Sequence, residues 1–386
     1  MLLPSQRALF EIPDDVIWLN CAYMSPQLRA VRAAGEEALG RKSQPWRIRP
    51  DDFFIGSEEV RGLFAQLIHG DAEGVALVPS VSYGMAVAAS NLRVREGQRL
   101  LVLDEEFPSN LYCWRELARR TGATVFTVPR PPDGDWTRAL LGQMDERCAL
   151  VAVPHCHWMD GTWVDLVKVG ARAREVGAAL AVDATQSLGA LPLSVEAVQP
   201  DYLVAAGYKW LMGPYSQGYL YMAPRHREGQ PLELNWITRR GSEDFTRLID
   251  YRDEFQPGAR RFDMGERSNF LQLPMAAAAL RQLLAWGPES TQETLRELTR
   301  RAARGAEALG LEVAPEAHRA GHLLGLRRRG GYPPDVTARL AARQIYVSVR
   351  GDNLRVSPHL YNTAAEVDRL LEALGSVSSS SAAVGR

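Results

Sequence analysis

Short, nearly continuous apolar runs recur between residues 75 and 222, with little alternation between apolar and polar positions. The runs are Val75–Val78, Leu100–Asp104, Thr124–Val128, Ala149–Val153, Ala179–Asp183, Tyr202–Ala206 and Gly218–Met222. Continuous apolar strands are typical of a sheet that is covered on both faces. The pattern therefore predicts seven buried strands.

Segments with helical periodicity separate many of these runs. Three of them are Ser109–Thr121, Trp136–Glu146 and Val164–Val176, and Gly122 and Gly177 follow two of these helices as expected C-terminal stops. Alternation of strand and helix predicts an α/β fold. Its sheet should be mostly parallel, seven-stranded and covered by helices, with right-handed crossovers.

The pattern changes after about residue 255. The expected elements there are two long helices, four short strands and a final amphipathic helix: Leu273–Trp286, Ser290–Leu309, Leu311–Ala314, His322–Arg327, Ile345–Val349, Leu354–Ser357 and Ala364–Leu374. We expect a large α/β domain over residues 14–260 and a smaller α+β domain built from residues 1–13 and 261–375. The serine-rich residues 376–386 are low in complexity and are predicted to be disordered.

Composition limits the classes of function. The 386 residues are 46% hydrophobic and 24% charged, with a net charge of −1. Charge balance argues against nucleic acid or an anionic membrane as the main partner. Four cysteines without a CxxC pair argue against a disulfide scaffold or a zinc ribbon. No apolar run is long enough to span a membrane and no secretory signal is evident, so we expect a cytoplasmic enzyme or binding protein.

The most informative stretch covers residues 182–221. Asp183 ends one predicted strand, and Lys209 follows the next strand in the turn AAGYKW. In a parallel α/β sheet both strand ends open onto the same edge, where ligands bind. A loop Asp or a surface Lys alone would be unremarkable, but together with Gln186 and Gly207 they call for a joint explanation.

This stretch resembles the class V branch of the pyridoxal-phosphate aminotransferase superfamily, of fold type I, which includes cysteine desulfurases, kynureninase and isopenicillin-N-epimerase-like proteins. The matching positions are Val182, Asp183, Gln186, Gly207, Tyr208, Lys209, Gly213 and Pro214. Further partial matches run from LNCAYMSP near residue 20 to RVSPHLYNT near residue 360, so the resemblance covers nearly the whole chain.

The resemblance implies a catalytic role for several of these side chains. Lys209 would hold pyridoxal 5′-phosphate as an imine and then move protons at the substrate Cα. Asp183 would pair with the pyridine nitrogen, and Gln186 would hydrogen-bond the ring phenolate. His155 would support Asp183. The neighbouring run His155-Cys156-His157 lacks the distant ligands that zinc needs, so no metal is expected.

The resemblance also implies a phosphate site at the start of a helix, in the segment PSVSYGMAVAASN. Val81 and Ser82 match its phosphate-binding positions, and free N–H groups at a helix N-terminus favour a dianion. Tyr208 is a second phosphate ligand by position. The family often carries a hydroxyl where this chain has Ala206, so one expected contact is missing.

A loop at residues 260–269 resembles the family segment that reaches the phosphate of a neighbouring subunit. Many members have Gly-Thr where this chain has Gly265-Glu266. We expect Gly265 to contribute a backbone contact and Glu266 to point away from the phosphate. Asn269 is a further candidate for the site. The loop implies a homodimer with its active sites at the subunit interface.

Other matches concern the ring face and the substrate. Phe107 falls at the position that stacks on the cofactor ring. Trp158 replaces an Asn that approaches the phenolate side, and the alternative for Trp158 is a wall of the substrate pocket. Arg355 matches the arginine that binds the substrate α-carboxylate. Asn20 and Ala22 match the N-terminal segment that lines the same carboxylate site.

The reaction itself stays open at this stage. Desulfurases of the family need a cysteine shortly before the matching arginine, and residues 343–355 contain none. A cofactor-dependent enzyme acting on an α-amino acid through Cα deprotonation is expected, with aminotransferase first. A lyase (β-elimination, C–S cleavage or a kynureninase-like reaction) or an epimerase is the alternative. A non-catalytic ligand-binding homologue is the third interpretation. A nicotinamide oxidoreductase is disfavoured because no GxGxxG follows the first strand.

Overall fold

The computed structural model describes residues 2–382, with side chains as far as residue 376. The strands are β1 (Ile17–Trp18), β2 (Val75–Val78), β3 (Arg99–Leu103), β4 (Thr124–Val128), β5 (Cys148–Pro154), β6 (Ala179–Asp183), β7 (Tyr202–Ala206), β8 (Gly218–Met222), β9 (Leu324–Arg327), β10 (Ile345–Tyr346), β11 (Ser348–Arg350) and β12 (Asn353–Val356). The helices are α1 (Arg29–Lys42), α2 (Asp52–Leu67), α3 (Val81–Asn91), α4 (Tyr112–Thr121), α5 (Trp136–Leu141), α6 (Leu166–Val176), α7 (Val195–Val198), α8 (Gln272–Trp286), α9 (Pro288–Ala308), α10 (Val336–Ala341) and α11 (Ala364–Ala382).

A seven-stranded sheet with the order β2-β8-β7-β6-β5-β3-β4 forms the centre of the molecule. Strand β8 runs antiparallel to both neighbours, whereas the other neighbouring pairs are parallel. Successive side chains enter different cores: Leu77 packs into one apolar cluster and Val78 into another, and both are fully buried. Burial on both faces explains why the strands read as continuous apolar runs. The predicted α/β class and seven-stranded sheet are confirmed.

Capping residues set the ends of the crossover helices. Asp135 and Asp165 accept hydrogen bonds from backbone N–H groups in the first turns of α5 and α6. Gly122 and Gly177 follow α4 and α6 with φ of 75° and 74°, a conformation that favours glycine. Both predicted stops are therefore confirmed. Helix α4 begins later than predicted because residues 108–110 form a separate 3₁₀ turn.

Helices α1 and α2 precede the sheet and were not predicted. Each carries two internal glycines, Gly35 and Gly40 in α1 and Gly56 and Gly62 in α2, and glycine weakens the helical signal in a sequence. Tertiary packing compensates, because both helices pack against α8. The Sδ atom of Met275 would lie 3.0 Å from a Cβ atom at Gly35, so a larger residue there would force the Met275 side chain to shift.

The C-terminal unit contains a three-stranded antiparallel sheet, β11-β12-β9, and a parallel pair, β1 with β10. Residues 17–18 thus pair with this unit, although they fall inside the predicted 14–260 domain. The strand predicted at Leu311–Ala314 is wrong, since only Glu312 forms an isolated bridge, with Arg327. The single strand predicted at Ile345–Val349 is divided at Val347, because β10 and β11 pair with different partners.

Helix α11 continues to Ala382, beyond its predicted end at Leu374 and into the segment predicted to be disordered. Residues 383–386 lie outside the described residues, so disorder there stays a prediction. Within the described part of the chain, no helix is both long enough and apolar enough to cross a membrane.

Candidate active site

A cavity of about 300 Å³ opens at the carboxyl ends of the parallel strands. Asp183 is the last residue of β6, and Lys209 lies in the turn between β7 and β8; both line this cavity. Backbone hydrogen bonds from Gly207 to Gln217 (2.7 Å) and from Gly213 to Gly207 (2.8 Å) close the turn. A Cβ atom at position 207 would lie 2.6 Å from the Gln217 carbonyl oxygen, which explains the glycine before Tyr208-Lys209.

Lys209 is buried, with 8% of its surface exposed. Burial lowers the pKa of its amine to about 8, and the positive charges of Arg355 and Arg350 act in the same direction. The Asp183 carboxylate acts in the opposite direction, because it stabilises the charged amine. The amine lies 5.5 Å from the centre of the Phe107 ring. A lysine with a lowered pKa carries more free amine near neutral pH than an ordinary lysine, which suits a nucleophile or a base.

Asp183 is also buried, and burial raises the pKa of its carboxyl group. A hydrogen bond from the Thr185 N–H (2.9 Å) and the charge of Lys209 lower this pKa, but burial is the larger effect. His155 contacts Asp183 only through the backbone, where its N–H donates to the Asp183 carbonyl at 3.2 Å. The imidazole Nδ1 has no hydrogen-bond partner among the described residues, and burial lowers the imidazole pKa to about 3. The described contact between His155 and Asp183 is this backbone hydrogen bond, and support from the imidazole stays a prediction.

Gln186 joins the cavity wall to the N-terminal segment. Its amide N–H donates to the Ala22 carbonyl at 3.1 Å, and its carbonyl accepts from the Trp210 indole at 3.0 Å. His322 lies 2.6 Å from the Gln186 backbone oxygen. These contacts fix the amide plane at the cavity, and one amide N–H stays available for a ligand oxygen.

The first turn of α3 forms one end of the cavity. Ser80 is the N-cap and accepts from the Tyr83 N–H at 3.2 Å, whereas Val81 and Ser82 begin the helix and line the cavity. The N–H groups in the first turn of a helix have no carbonyl acceptor within that helix, so those of Val81 and Ser82 are available to an anion. Tyr208 lines the same cavity.

The loop at residues 260–269 does not enter this cavity. The Gly265 N–H donates to the Glu233 carboxylate, and the Asn269 side chain accepts from the Gln272 N–H at 2.9 Å, at the start of α8. Asn269 thus holds the start of α8, and its predicted contact with the site stays a prediction. The role predicted for Gly265, toward the phosphate of a second subunit, stays a prediction.

Phe107 and Trp158 form an aromatic wall, with ring centres 5.5 Å apart and planes at 76°. The Trp158 indole N–H donates to the Glu105 carbonyl at 2.8 Å. This bond occupies the indole N–H, so the part of Trp158 that lines the cavity is apolar ring.

Arg355 reaches the site from β12. It is 2% exposed, and its guanidinium Nη1 donates to the Trp158 carbonyl at 2.8 Å, while Nε has no partner among the described residues. Burial and the nearby charge of Arg350 lower the pKa of Arg355 to about 9. The Ala22 N–H donates to the Ser357 hydroxyl at 3.1 Å, which places the N-terminal segment beside β12.

Asn20 belongs to the same junction, because its side-chain oxygen accepts from the Ser348 hydroxyl at 2.8 Å. The structure therefore brings Asn20, Ala22 and Arg355 together beside the cavity, as the sequence predicted for a carboxylate site. Their roles as substrate ligands stay predictions.

The sequence did not indicate Glu106, which lines the cavity with 8% of its surface exposed. One carboxyl oxygen accepts from the Phe107 N–H at 2.7 Å, and the other has no partner among the described residues. Burial and the charge of Asp183 raise the pKa of Glu106 well above its usual range. Only its place beside Phe107 could have drawn attention to it.

Cys156 also lines the cavity, but it is fully buried and burial raises its thiol pKa, which disfavours the thiolate. Among the described residues, no three His, Cys, Asp or Glu side chains come together as a group that could hold a metal ion. A planar, anionic cofactor fits the cavity well: an amine, a carboxyl group, an aromatic face and free N–H groups of a helix converge on one space.

Comparisons with known proteins agree with this geometry. The family model for aminotransferase class-V matches residues 51–370. Isopenicillin N epimerase from Streptomyces clavuligerus is 26% identical over 368 residues, which cover 89% of this chain and 91% of that protein. An uncharacterized aminotransferase from Bacillus subtilis is 26% identical over 377 residues, covering 96% and 97%.

Among solved structures, a cysteine desulfurase from Thermococcus onnurineus superposes with a TM-score of 0.86 at 22% identity, covering 98% of this chain and 99% of that one. This likeness confirms the fold. The family match extends across both structural units and includes Asp183, Lys209 and Arg355. The chain therefore belongs to the aminotransferase class-V family, an enzyme family whose cofactor is pyridoxal 5′-phosphate.

Proposed function

We propose that this protein is an aminotransferase that binds an α-amino acid at Arg355 and removes its Cα proton with the amine of Lys209. The single observation that carries the proposal is the state of Lys209. Its amine is buried at the strand ends, its pKa is lowered to about 8, and it faces Asp183 across one cavity.

Bound pyridoxal 5′-phosphate supplies the electron sink for a substrate carbanion. The residues of the chain would divide the remaining work. Asp183 would keep the ring nitrogen protonated, Gln186 would donate to the ring oxygen, and Phe107 would cover one ring face. Val81 and Ser82 would bind the phosphate with the N–H groups of α3, assisted by Tyr208.

The distribution of proton carriers favours transamination. Removing a proton at one carbon and returning it at a neighbouring carbon on the same face needs one mobile amine, and Lys209 meets that need. The Phe107 and Trp158 rings carry no titratable group. A two-base epimerisation would need a second proton donor, and Glu106, which lines the cavity and whose pKa is raised well above its usual range, is the candidate for it.

A family desulfurase route is disfavoured by the local backbone. Strands β11 and β12 are joined by a tight turn at residues 351–352, and Gly351 has φ of 54°. This hairpin contains no cysteine and leaves no long loop that could carry one to the substrate. Epimerisation is kept as the second candidate because of the similarity to isopenicillin N epimerase over most of the chain.

A second copy of the chain would complete the site. Residues 232–251 expose several large apolar side chains: Leu234, Trp236, Ile249 and Tyr251 are 74%, 41%, 78% and 93% exposed. This surface leads into the 260–269 loop, for which the sequence predicts a contact with a neighbouring phosphate. Burial of such residues is typical of a stable homodimer.

An amino-acid panel tests the reaction. The purified protein, loaded with pyridoxal 5′-phosphate, is incubated with single L- and D-amino acids, with and without a keto-acid acceptor. We expect acceptor-dependent formation of a new amino acid, absent in Lys209→Ala. Ammonia or sulfide released without an acceptor would assign a lyase, and interconversion of L and D forms would assign an epimerase. If neither cofactor nor amino acid binds, the enzymatic proposal fails.

A further inference from the structure

We propose that Arg350 binds a second anionic group, on the substrate side chain, so that the substrate is an α-amino acid with a distal carboxylate or an equivalent anion. The inference rests on the proposed function, because it takes Arg355 as the ligand of the α-carboxylate. It adds the chemical class of the substrate.

The register of one hairpin places both arginines on the same face. Ser348 lies opposite Arg355, and Arg350 lies opposite Asn353 in the β11–β12 pair. Residues directly opposite each other share a face, and so do alternate residues along a strand. The side chains of Arg350 and Arg355 therefore leave the hairpin in the same direction.

Both guanidinium groups meet the same wall of the cavity. Arg355 donates to the Trp158 carbonyl at 2.8 Å, and Cζ of Arg350 lies 6.0 Å from the centre of the Trp158 ring. The Trp158 ring packs edge-on to Phe107, which lies beneath the Lys209 amine. Arg350 therefore lies beside the Trp158 ring, which lines the cavity, and on the same face of the hairpin as Arg355.

Neither arginine has a carboxylate partner among the described residues. The hydrogen bond of Arg350 goes to the neighbouring Val349 carbonyl at 2.8 Å. By contrast, Arg130 in the same region pairs with both Glu105 and Asp160. The positive charge of Arg350 is felt by Lys209 and Arg355, whose pKa values it helps to lower.

Two converging guanidinium groups without counter-ions favour two anions. Placing like charges close together in a partly buried site is unfavourable until an anion compensates them. One α-carboxylate satisfies Arg355 and leaves Arg350 uncompensated. A second carboxylate on the same substrate would pair with it in the bidentate geometry that a guanidinium provides.

Matched amino acids test the inference on the cofactor-loaded enzyme. L-2-aminoadipate and L-norleucine have chains of comparable length and differ in the distal charge, and L-glutamate and L-glutamine form a second pair. Dissociation constants are measured by the change in cofactor absorption. We expect the wild-type protein to bind one of the dianionic amino acids at least about ten-fold more tightly than its neutral partner.

Substitutions identify the residue that is responsible. Arg350→Gln should remove the preference for the dianionic amino acid and leave the affinity for the neutral one nearly unchanged. Arg350→Lys, which keeps the charge, should retain part of the preference. Arg343→Gln, which removes an exposed charge just before β10, is the matched control and should keep the preference. Equal weakening of charged and neutral amino acids in Arg350→Gln, or no charge preference in the wild type, would overturn the inference.

Calorimetry separates this inference from the proposed reaction. Glutarate and butyrate lack an amino group, so their binding requires no amine chemistry. Selective binding of glutarate that Arg350→Gln abolishes would support the two-anion site even if no amino acid were turned over. If Lys209→Ala loses turnover but keeps the preference for glutarate, both the two-anion site and the proposed role of Lys209 are supported. If the protein binds neutral amino acids tightly but shows no preference for glutarate, the two-anion inference is refuted and the proposed reaction is not.

Discussion

The Gln186 side chain donates to the backbone carbonyl of Ala22 at 3.1 Å across 164 residues of sequence. One partner lies in the cavity beneath the strand ends, and the other belongs to the N-terminal segment that packs on β12. The hydrogen bond links the residues proposed to hold the cofactor to the segment proposed to line the substrate site.

Lys209→Ala should abolish covalent attachment of the cofactor. The chain contains only three lysines, Lys42, Lys168 and Lys209, so borohydride reduction followed by peptide mass spectrometry gives an unambiguous assignment. The near-visible absorption of the loaded wild-type protein should disappear in the variant. Lys168→Ala, at an exposed position paired with Asp165, is the control. A reduced cofactor on Lys42 or Lys168 would show that the assignment is wrong.

The buried amine of Lys209 should make the stability of the apoprotein depend on pH. The folded pKa is about 8 against an ordinary value of 10.5, so the unfolded state binds more protons between these values. The wild-type free energy of unfolding should therefore rise with pH across that window. Lys209→Met should be more stable than the wild type below about pH 8, and the difference should shrink toward pH 10.5.

Urea unfolding at several pH values measures this effect. Lys42→Met, which removes an exposed lysine, serves as the control. Its free energy of unfolding should change with pH in the same way as that of the wild type. A constant difference between Lys209→Met and the wild type at every pH would mean that Lys209 is protonated to the same extent in both states.

Arg355→Lys should weaken substrate binding by roughly ten-fold or more, because the charge stays but the bidentate fork is lost. Arg355→Ala should be weaker still. Cofactor affinity, followed by absorption during titration, should change little in both variants, because Arg355 contacts the Trp158 carbonyl and not the phosphate end of the cavity. Equal activity of the wild type on amino acids and on the corresponding decarboxylated amines would contradict the assignment.

Replacing Cys21, Cys113, Cys148 and Cys156 together with alanine should leave turnover largely intact. Three of these thiols are buried, so some stability will be lost through packing. Thermal unfolding and turnover are measured on the same preparation to separate the two effects. A folded variant with no turnover at all would restore a sulfur-transfer role.

Ile249→Glu should shift the protein from dimer to monomer in sedimentation experiments and raise the dissociation constant for the cofactor. Ile249 is 78% exposed, and a charge there would oppose burial against a second copy. Val167→Glu, at an exposed position of α6, is the control and should not dissociate the dimer. An active wild-type monomer at high dilution would refute the dimer.

The sequence predicted the sheet better than the surrounding helices. Strands such as β6 and β7 are buried on both faces, and burial of that kind leaves a continuous apolar run in the sequence. Helix α1 gave no comparable signal, because Gly35 and Gly40 lower its propensity and its packing partner α8 follows much later in the chain.

The acidic run at residues 104–106 illustrates what sequence alone leaves undecided at the site. Glu105 adopts φ of 55°, which turns the chain so that Glu106 enters the cavity while Glu105 pairs with Arg130. Three consecutive acids at a strand end give no indication of which one will point inward. Asp183 and Lys209 were identified because their spacing matches a known family pattern.

The pairing of the N-terminal segment with β12 has a consequence for how the protein is made. Ala22 bonds to Ser357, 335 residues away, so this segment must wait for a strand that is synthesised much later. Contacts of such long sequence separation form late, because loop closure is costly. We therefore expect the junction between this segment and β12 to form late in folding, and because Cys21 and Ala22 also belong to the largest apolar cluster, substitutions there would disturb the junction and the core together.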